Sequence, residues 1–471
     1  MNESNDSPIL STRREFLKTS GKITAVSAFA GLSVPHVHAA EDNTIRVALI
    51  GCGGRGGGAA DNALSVTKVP TRLVAMADVF QNKLDSAYTS LKDAHPKTVD
   101  VPKEHQFIGF DGYKKAMDCL RPGDVVILTT PLTFRWVHFT YAIEKGLNVF
   151  MEKPLTSDGP CSRRMMDLAQ KASAKNLKCA VGLMSRHHRP MQELKKRIDD
   201  GQIGEILCMR GYRMAAGPLA ACFVEKWPGD PTELLWQISV FHSFIWASGG
   251  LFNDFYIHHV DHLCWMKNDY PIKAQALGGR HYRKTPEGAP LVDQNFDAYA
   301  VEYTFKDGTK MYIDGRNMYG TSEFYFSQAH GTKGLAVVSP NGDYGNNGEP
   351  STIHGGQRAD QDLIWKAKVL PHERNPYQNE WNDFVEAILK DQPYNEVPYG
   401  VQSSVTCNLG RLAAHTGREM TYDEVYNSNV EYAPNADKFT MDSAAPVVAD
   451  KEGKYPVPQP GIVVDRDYQV A

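Results

Sequence analysis

The sequence predicts an α/β protein in two parts, a doubly wound parallel-sheet domain followed by an α+β domain on a mainly antiparallel sheet. Three observations point there. An apolar run at 45–50 leads straight into a glycine-rich turn. From there to residue 151, short apolar runs alternate with helix-like stretches, the pattern of βαβ units. Beyond residue 204, segments alternate apolar and polar with period two, the mark of strands with one buried face.

Composition sets the outer bounds. The chain has 471 residues, 42% hydrophobic and 23% charged, enough apolar material for a large core and against a disordered chain. A net charge of −4 gives no electrostatic reason to expect nucleic acid. The 8 cysteines include no CxxC pair, which argues against a disulfide framework and a structural zinc site. No apolar run reaches ~18 residues, so no membrane span is expected.

Residues 1–39 read as a leader rather than as fold. Thr12-Arg13-Arg14-Glu15-Phe16-Leu17-Lys18 precedes a weakly apolar, small-residue stretch at 23–34 and the small-residue pattern Val37-His38-Ala39. This resembles a twin-arginine (Tat) export signal, which implies a periplasmic protein exported already folded, with its cofactor loaded beforehand.

The next element is the run Ile45-Arg46-Val47-Ala48-Leu49-Ile50, suited to a buried parallel strand. Gly51-Cys52-Gly53-Gly54-Arg55-Gly56 follows, a GxGxxG match opening a helix of small residues. Glycines there permit a tight turn, backbone approach to a pyrophosphate and close helix–strand packing. A second strand at 73–77 ends at Asp78, 22 residues after Gly56, where a ribose-binding acid belongs. Val79, Phe80 and Gln81 supply no arginine for a 2′-phosphate, so NAD is favoured over NADP. Strands are then expected at 124–128, 147–151 and 179–183, with helices at 113–120 and 134–145. This Rossmann domain spans 40–183. Strand carboxyl ends face the ligand crevice in such sheets, which places Thr130, Pro131, Glu152 and Lys153 near the cofactor.

Together the glycine turn, Thr130-Pro131 with His138 downstream, and Glu152-Lys153-Pro154 resemble the Gfo/Idh/MocA oxidoreductases. The resemblance runs over 44–428. It implies a nicotinamide cofactor contacted by Gly51, Gly53, Gly54, Arg55, Gly56, Asp78, Thr130, Pro131, His138, Glu152 and Lys153. It also implies a second domain whose large open sheet mediates homo-oligomerisation, as a dimer or tetramer, and oxidation of a secondary alcohol on a sugar or cyclitol. Chemistry alone also marks Lys153, since an ammonium beside the nicotinamide stabilises a hydroxyl oxygen as it becomes a carbonyl.

The second domain spans 184–430, with strands expected at 204–213, 273–282, 296–305 and 309–316 and a hairpin at Asp307-Gly308. Within 249–266, Asp254, His258, Asp261 and His262 fall on one helical face. The family pattern Asp-x-Gly-x-His-x-x-Asp matches except that Tyr256 replaces its glycine. By that resemblance His258 is the general base, Asp254 its orienting neighbour, and both contact substrate with Lys153. The same face also suits a divalent metal, and that alternative stays open. Arg186, after the 179–183 strand, is a candidate substrate contact. Trp236, His242 and Trp246 suit sugar stacking or plain packing. Residues 341–356 read as a loop, 375–417 as a long helical region, and 431–471 as an extended arm.

Two reaction types fit. One is NAD-dependent oxidation of a secondary sugar hydroxyl, with tightly bound, recycled cofactor. The alternative is a redox-neutral glycosidase that oxidises, eliminates, hydrates and reduces within one cycle, with Tyr256 as the extra base. A non-catalytic NAD- or sugar-binding protein is the third reading.

Overall fold

The computed structural model describes residues 43–216, 224–281, 284–285, 287–340 and 350–469, so the leader expected over 1–39 lies outside them. Six parallel strands make the first sheet: β1 (Ile45–Ile50), β2 (Thr71–Asp78), β3 (Gln106–Ile108), β4 (Val125–Leu128), β5 (Asn148–Met151) and β6 (Cys179–Val181). Their order is β3-β2-β1-β4-β5-β6. β4, β5 and β6 are buried along their whole length, which is why they read as continuous apolar runs rather than alternating ones. The strand order reverses between β1 and β4, and the carboxyl ends there border the crevice in which doubly wound sheets bind ligands.

The turn after β1 needs glycine at two places. Gly51 takes φ +95, and a Cβ there would stand 2.8 Å from the Thr130 amide nitrogen. A Cβ on Gly56 would meet the Gly51 carbonyl oxygen at 2.0 Å. Any side chain at either position would push the Gly54–Leu64 helix off the strand ends it sits against.

The second sheet has nine strands. They are β7 (Ile206–Ala215), β8 (Lys273–Gly279), β9 (Ala298–Thr304), β10 (Lys310–Asn317), β11 (Phe324–Gly331), β12 (Leu335–Ser339), β13 (Thr352–His354), β14 (Leu363–Lys366) and β15 (Met420–Thr421). Their order is β14-β13-β12-β11-β7-β10-β9-β8-β15, and every pairing is antiparallel except β7 with β10. The β9–β10 hairpin turns at Asp307-Gly308, where Gly308 has φ +88 and the Asp307 carboxylate accepts from the Thr309 amide at 3.0 Å. Tyr299, Val301 and Tyr303 point inward from β9. Against that inner face lie the Gly250–Lys267 and Val397–Thr416 helices, tied by the Tyr303 hydroxyl donating to the Thr406 carbonyl at 2.9 Å. On the outer face Tyr212, Phe324 and Phe326 cluster, with ring centroids 5.5–6.4 Å apart.

Two expectations change. The helical region at 375–417 is two helices, Pro376–Leu389 and Val397–Thr416. The chain breaks at Asp391, in a left-handed conformation with φ +48, and Pro393 cannot restart the helical ladder. The loop expected over 341–356 lies partly outside the described residues, and its described end forms β13, paired with β12. Three residues are too few to show an alternation, and β14 beyond them is an exposed edge.

Among the described residues beyond 430 the only regular element is the short turn Ala436–Lys438, yet the segment is firmly tied down. Asp467 is fully buried between the Arg411 guanidinium and the His415 imidazole, at 3.3 and 2.5 Å.

Candidate active site

The glycine turn and the end of β2 build one wall of a cleft. The Gly51 amide donates to the Ala77 carbonyl at 2.8 Å, and the Thr129 hydroxyl to the Gly51 carbonyl at 2.6 Å, locking the ends of β1, β2 and β4 together. The Asp78 carboxylate accepts from the Cys52 amide at 2.6 Å and from the Phe80 amide at 2.9 Å, so two backbone donors aim it. Gly53 and Gly54 have open space where a side chain would stand, which leaves bare backbone at the helix N-terminus. Such an end attracts phosphate through its free N–H groups and dipole. The cleft is lined by Gly51, Gly53, Asp78, Thr130, Pro131 and His138, among others. An acid for ribose aimed by two backbone amides, bare amides for phosphate and a mainly apolar cleft fit a dinucleotide.

His138 lies buried beside Thr130, its Nδ1 3.3 Å from the hydroxyl and its ring 4.3 Å from that of Tyr113. Burial and the neighbouring Arg135 charge push its pKa down to about 3, so it is a neutral ring in the cleft wall. Arg135, not singled out in the sequence, donates to the Leu128 carbonyl and, at 2.9 Å, to that of Thr130, which fixes the end of β4. Arg55 turns back from the glycine turn. Its Nε pairs with Glu152 at 2.8 Å, and its guanidinium lies 4.6 Å from the Tyr377 ring.

β5 delivers Glu152 and Lys153 to the crevice. The Lys153 ammonium donates to the Asp254 carbonyl at 2.7 Å and to its Oδ1 at 3.2 Å. The other carboxylate oxygen, Oδ2, lies 2.5 Å from the His242 Nδ1. Burial opposes ionisation of Asp254, but Lys153 and His242 outweigh it and hold the carboxyl well below the usual range. Lys153–Asp254–His242 is therefore one charged constellation, in which the His242 side chain keeps 24% of its surface exposed against 7% for Asp254. His242 packs on Phe241, itself part of the cleft wall, with ring centroids 3.9 Å apart. His242 stands twelve residues before Asp254 across two short helical turns, so no helical spacing links them.

The polar face of the Gly250–Lys267 helix is divided among separate partners. His258 is buried, and burial together with the Lys153 and Arg213 charges pushes it far below ordinary imidazole, so it is neutral. Asp261 accepts two hydrogen bonds from the Arg186 Nε and Nη2 at 2.9–3.1 Å and one from the Ser403 hydroxyl at 2.7 Å. Arg186 thus sits in a buried ion pair over the Tyr399 ring, 3.8 Å from its centroid, and not in the crevice as a substrate contact. His262 pairs with the Ser327 hydroxyl at 2.7 Å. Among the described residues no three such side chains come together in a metal-holding group.

Tyr256 departs furthest from expectation. Successive helical residues turn by about 100°, so two residues from Asp254 is the opposite face. The phenol ring lies fully buried against the nine-stranded sheet, 4.8 Å from Phe252 and directly over Gly315 of β10. It is a packing residue there, and the extra catalytic base expected at this position is withdrawn. Trp236 and Trp246 are also core: Trp236 packs on Phe244, and the Trp246 indole donates to Gln237 at 2.7 Å.

No family model matches the chain. It is 35% identical over 88 residues to an inositol 2-dehydrogenase of Corynebacterium glutamicum (strain R), covering 19% of this chain and 26% of that protein. Identity is 28% over 222 residues to a scyllo-inositol 2-dehydrogenase (NAD(+)) of Bacillus subtilis (strain 168), 47% of this chain and 53% of that one. The chain thus spans about a quarter to a half of the length of these curated relatives. Among solved structures, a levoglucosan dehydrogenase complexed with NADH and levoglucosan superposes with TM-score 0.60 at 18% identity, over 80% of this chain and 99% of that one. A Lactobacillus casei scyllo-inositol dehydrogenase with bound NAD(H) and scyllo-inositol gives TM-score 0.57 at 22% identity, with coverages of 80% and 99%. In sequence over part of its length, and in fold over four-fifths of it, the chain is similar to dehydrogenases of cyclitols and sugars.

Proposed function

We propose that the chain is an oxidoreductase of the Gfo/Idh/MocA type that uses NAD, tightly held, to oxidise a secondary hydroxyl of a sugar or cyclitol. One observation carries the reading: the Lys153–Asp254–His242 constellation stands at the end of β5, beside a cleft whose ribose end is marked by Asp78. Bound along the glycine turn, NAD would supply the hydride acceptor. Asp78 would take the ribose hydroxyls, the amides of Gly53 and Gly54 the phosphates, and the Thr130–His138 wall the flank of the cofactor.

The remaining chemistry belongs to this chain's own groups. A lysine ammonium has three donors. Two of those on Lys153 are taken by Asp254, leaving one for the reacting hydroxyl, whose growing carbonyl character it stabilises. His258 can take the hydroxyl proton only in passing, since the burial and the Lys153 and Arg213 charges that keep it neutral also disfavour its protonated form. His242 is a positioning residue that keeps the Asp254 carboxylate turned to Lys153. With Tyr256 against the sheet, the redox-neutral glycosidase reading, which came from the export signal, loses its candidate for the extra base. The exposed aromatic cluster of Tyr212, Phe324 and Phe326 supports a homo-oligomer through the outer sheet face, and the twin-arginine leader supports export to the periplasm.

The test is to mix the purified chain and NAD with scyllo-inositol or levoglucosan and record absorbance in the reduced-nicotinamide band. The band should grow, and Lys153→Met should slow it by on the order of 100-fold or more. A chain that retains no nucleotide after incubation with NAD overturns the reading.

A further inference from the structure

The cleft has a wall that neither the glycine turn nor the strand ends explain. Ala436, Asp437 and Phe439, from the irregular segment after residue 430, line it together with Asp78, Phe80 and Tyr113. Phe439 is the aromatic of this wall. Its ring stands edge-on to Phe110, Phe134 and Trp246, with centroids 6.1–6.3 Å away. Ala436 beside it is 4% exposed.

Both flanks of this wall are fastened to different parts of the body. Upstream, the Glu431 carboxylate pairs with Arg164 on the Gly159–Ala174 helix, and the Tyr432 amide donates to Asp158 at 3.3 Å. Downstream, the Gln237 side chain donates to the Val447 carbonyl at 2.7 Å. Glu233 accepts from the Ala449 amide at 3.0 Å and from the Tyr455 hydroxyl at 2.6 Å. A segment whose one regular element is a single short turn, held by side chains on both sides, is a strap. This one borders the cleft at Phe110, beside Gly109, whose amide donates to the Asp78 carbonyl at 3.0 Å.

We infer that residues 431–449 are the retaining wall of the dinucleotide site, with Phe439 as its contact on the adenosine half, so that bound nucleotide leaves only when the strap lets go. The inference rests on the NAD reading above. It adds a physical reason for tight binding: release requires losing the Phe439 packing and the Glu233 fastening together, while the glycine turn alone would leave the adenosine half open. Since the strap acts mainly on departure, loosening it weakens binding by about the factor by which it speeds release.

The experiment uses the full chain loaded with NADH, displaced by excess NAD, with loss of nicotinamide fluorescence giving the dissociation rate. Phe439→Ala should release NADH faster by on the order of 10-fold, the worth of one half-buried aromatic. Phe439→Leu, which refills the volume, should restore much of the slow release. Glu233→Ala touches no cleft residue, loosens only the downstream fastening, and should also speed release. Thermal melts of the nucleotide-free proteins check that each variant folds. Equal release rates in wild type, Phe439→Ala and Glu233→Ala overturn the strap and leave the NAD reading standing. A wild-type chain that binds no NADH overturns the NAD reading itself.

Discussion

The placement of Tyr256 can be tested by a double-mutant cycle with Gly315. An ideal Cβ on Gly315 would stand 1.9 Å from the Tyr256 Cε1 and 2.4 Å from both Cζ and the phenol oxygen. Ordinary carbon–carbon contact begins near ~3.5 Å, so the ring would have to retreat by about 1.5 Å. It has nowhere to go, being fully buried with Phe252 and Tyr299 packed on it at 4.8 and 5.8 Å. Gly315→Ala should therefore cost about 1–3 kcal/mol as overpacking, and more if the strand shifts. Tyr256→Ala alone should cost about 3–5 kcal/mol through the lost ring and the cavity it leaves. In that background the clash is gone, and Gly315→Ala should become neutral or gain about 0.5–1 kcal/mol, because alanine suits a strand interior better than glycine. The expected coupling is thus ~2 kcal/mol or larger and compensating. Urea unfolding of the four proteins, read by tryptophan fluorescence, measures it, provided the denaturant slope stays constant. Additivity within about 0.5 kcal/mol would refute the packing derived above and would return the phenol to the list of groups free to act on a substrate.

Two further outcomes follow from the charge arrangement. His187 is buried between Asp383 at 2.8 Å and Glu396 at 3.1 Å; burial opposes its charge, but the carboxylates prevail and push its pKa up to about 10. Against an unfolded value near ~6.5, its stabilisation is complete below that pH and disappears as pH rises through about 10. The stability gap between wild type and His187→Gln in urea melts at pH 6, 8 and 10 should shrink in that order, and a constant gap would contradict the assignment. Asp78→Asn removes the charge and keeps an acceptor for only one of the Cys52 and Phe80 amides, so the preference for NADH over NADPH should fall by about tenfold or more in a fluorescence titration. An unchanged ratio would show that Asp78 does not read the ribose.

Much of the first domain was legible because its signals are local. The apolar run at 45–50, the glycine turn and Asp78 lie within 34 residues of one another, and each works through backbone close to its own position in the chain. Lys153 was readable for the same reason, standing immediately after a buried strand. The partner of Asp254 was not. His242 reaches it through two short helical turns whose geometry no periodicity encodes, while the helical spacing itself pointed to His258, Asp261 and His262. That spacing did hold one lesson about Tyr256: at two residues from Asp254 it could not share the face, and only the family pattern had drawn it into the site. The strap over the cleft was the least visible element. Its grip comes from Glu431, Phe439 and Val447 meeting residues hundreds of positions away, and nothing in its own composition marks the surface it covers.

The Asp78 carboxylate has a second effect, on a sulfur atom. Cys52 lies inside the glycine turn with its thiol buried against the Ala77 carbonyl, and burial, reinforced by the Asp78 charge, pushes the thiol well above its ordinary range. The thiolate is the form that attacks peroxides and alkylating reagents, and here it is suppressed. The acid positioned to meet a ribose thus also keeps the turn beneath it chemically inert, while among the described cysteines Cys119 and Cys208 are the more accessible.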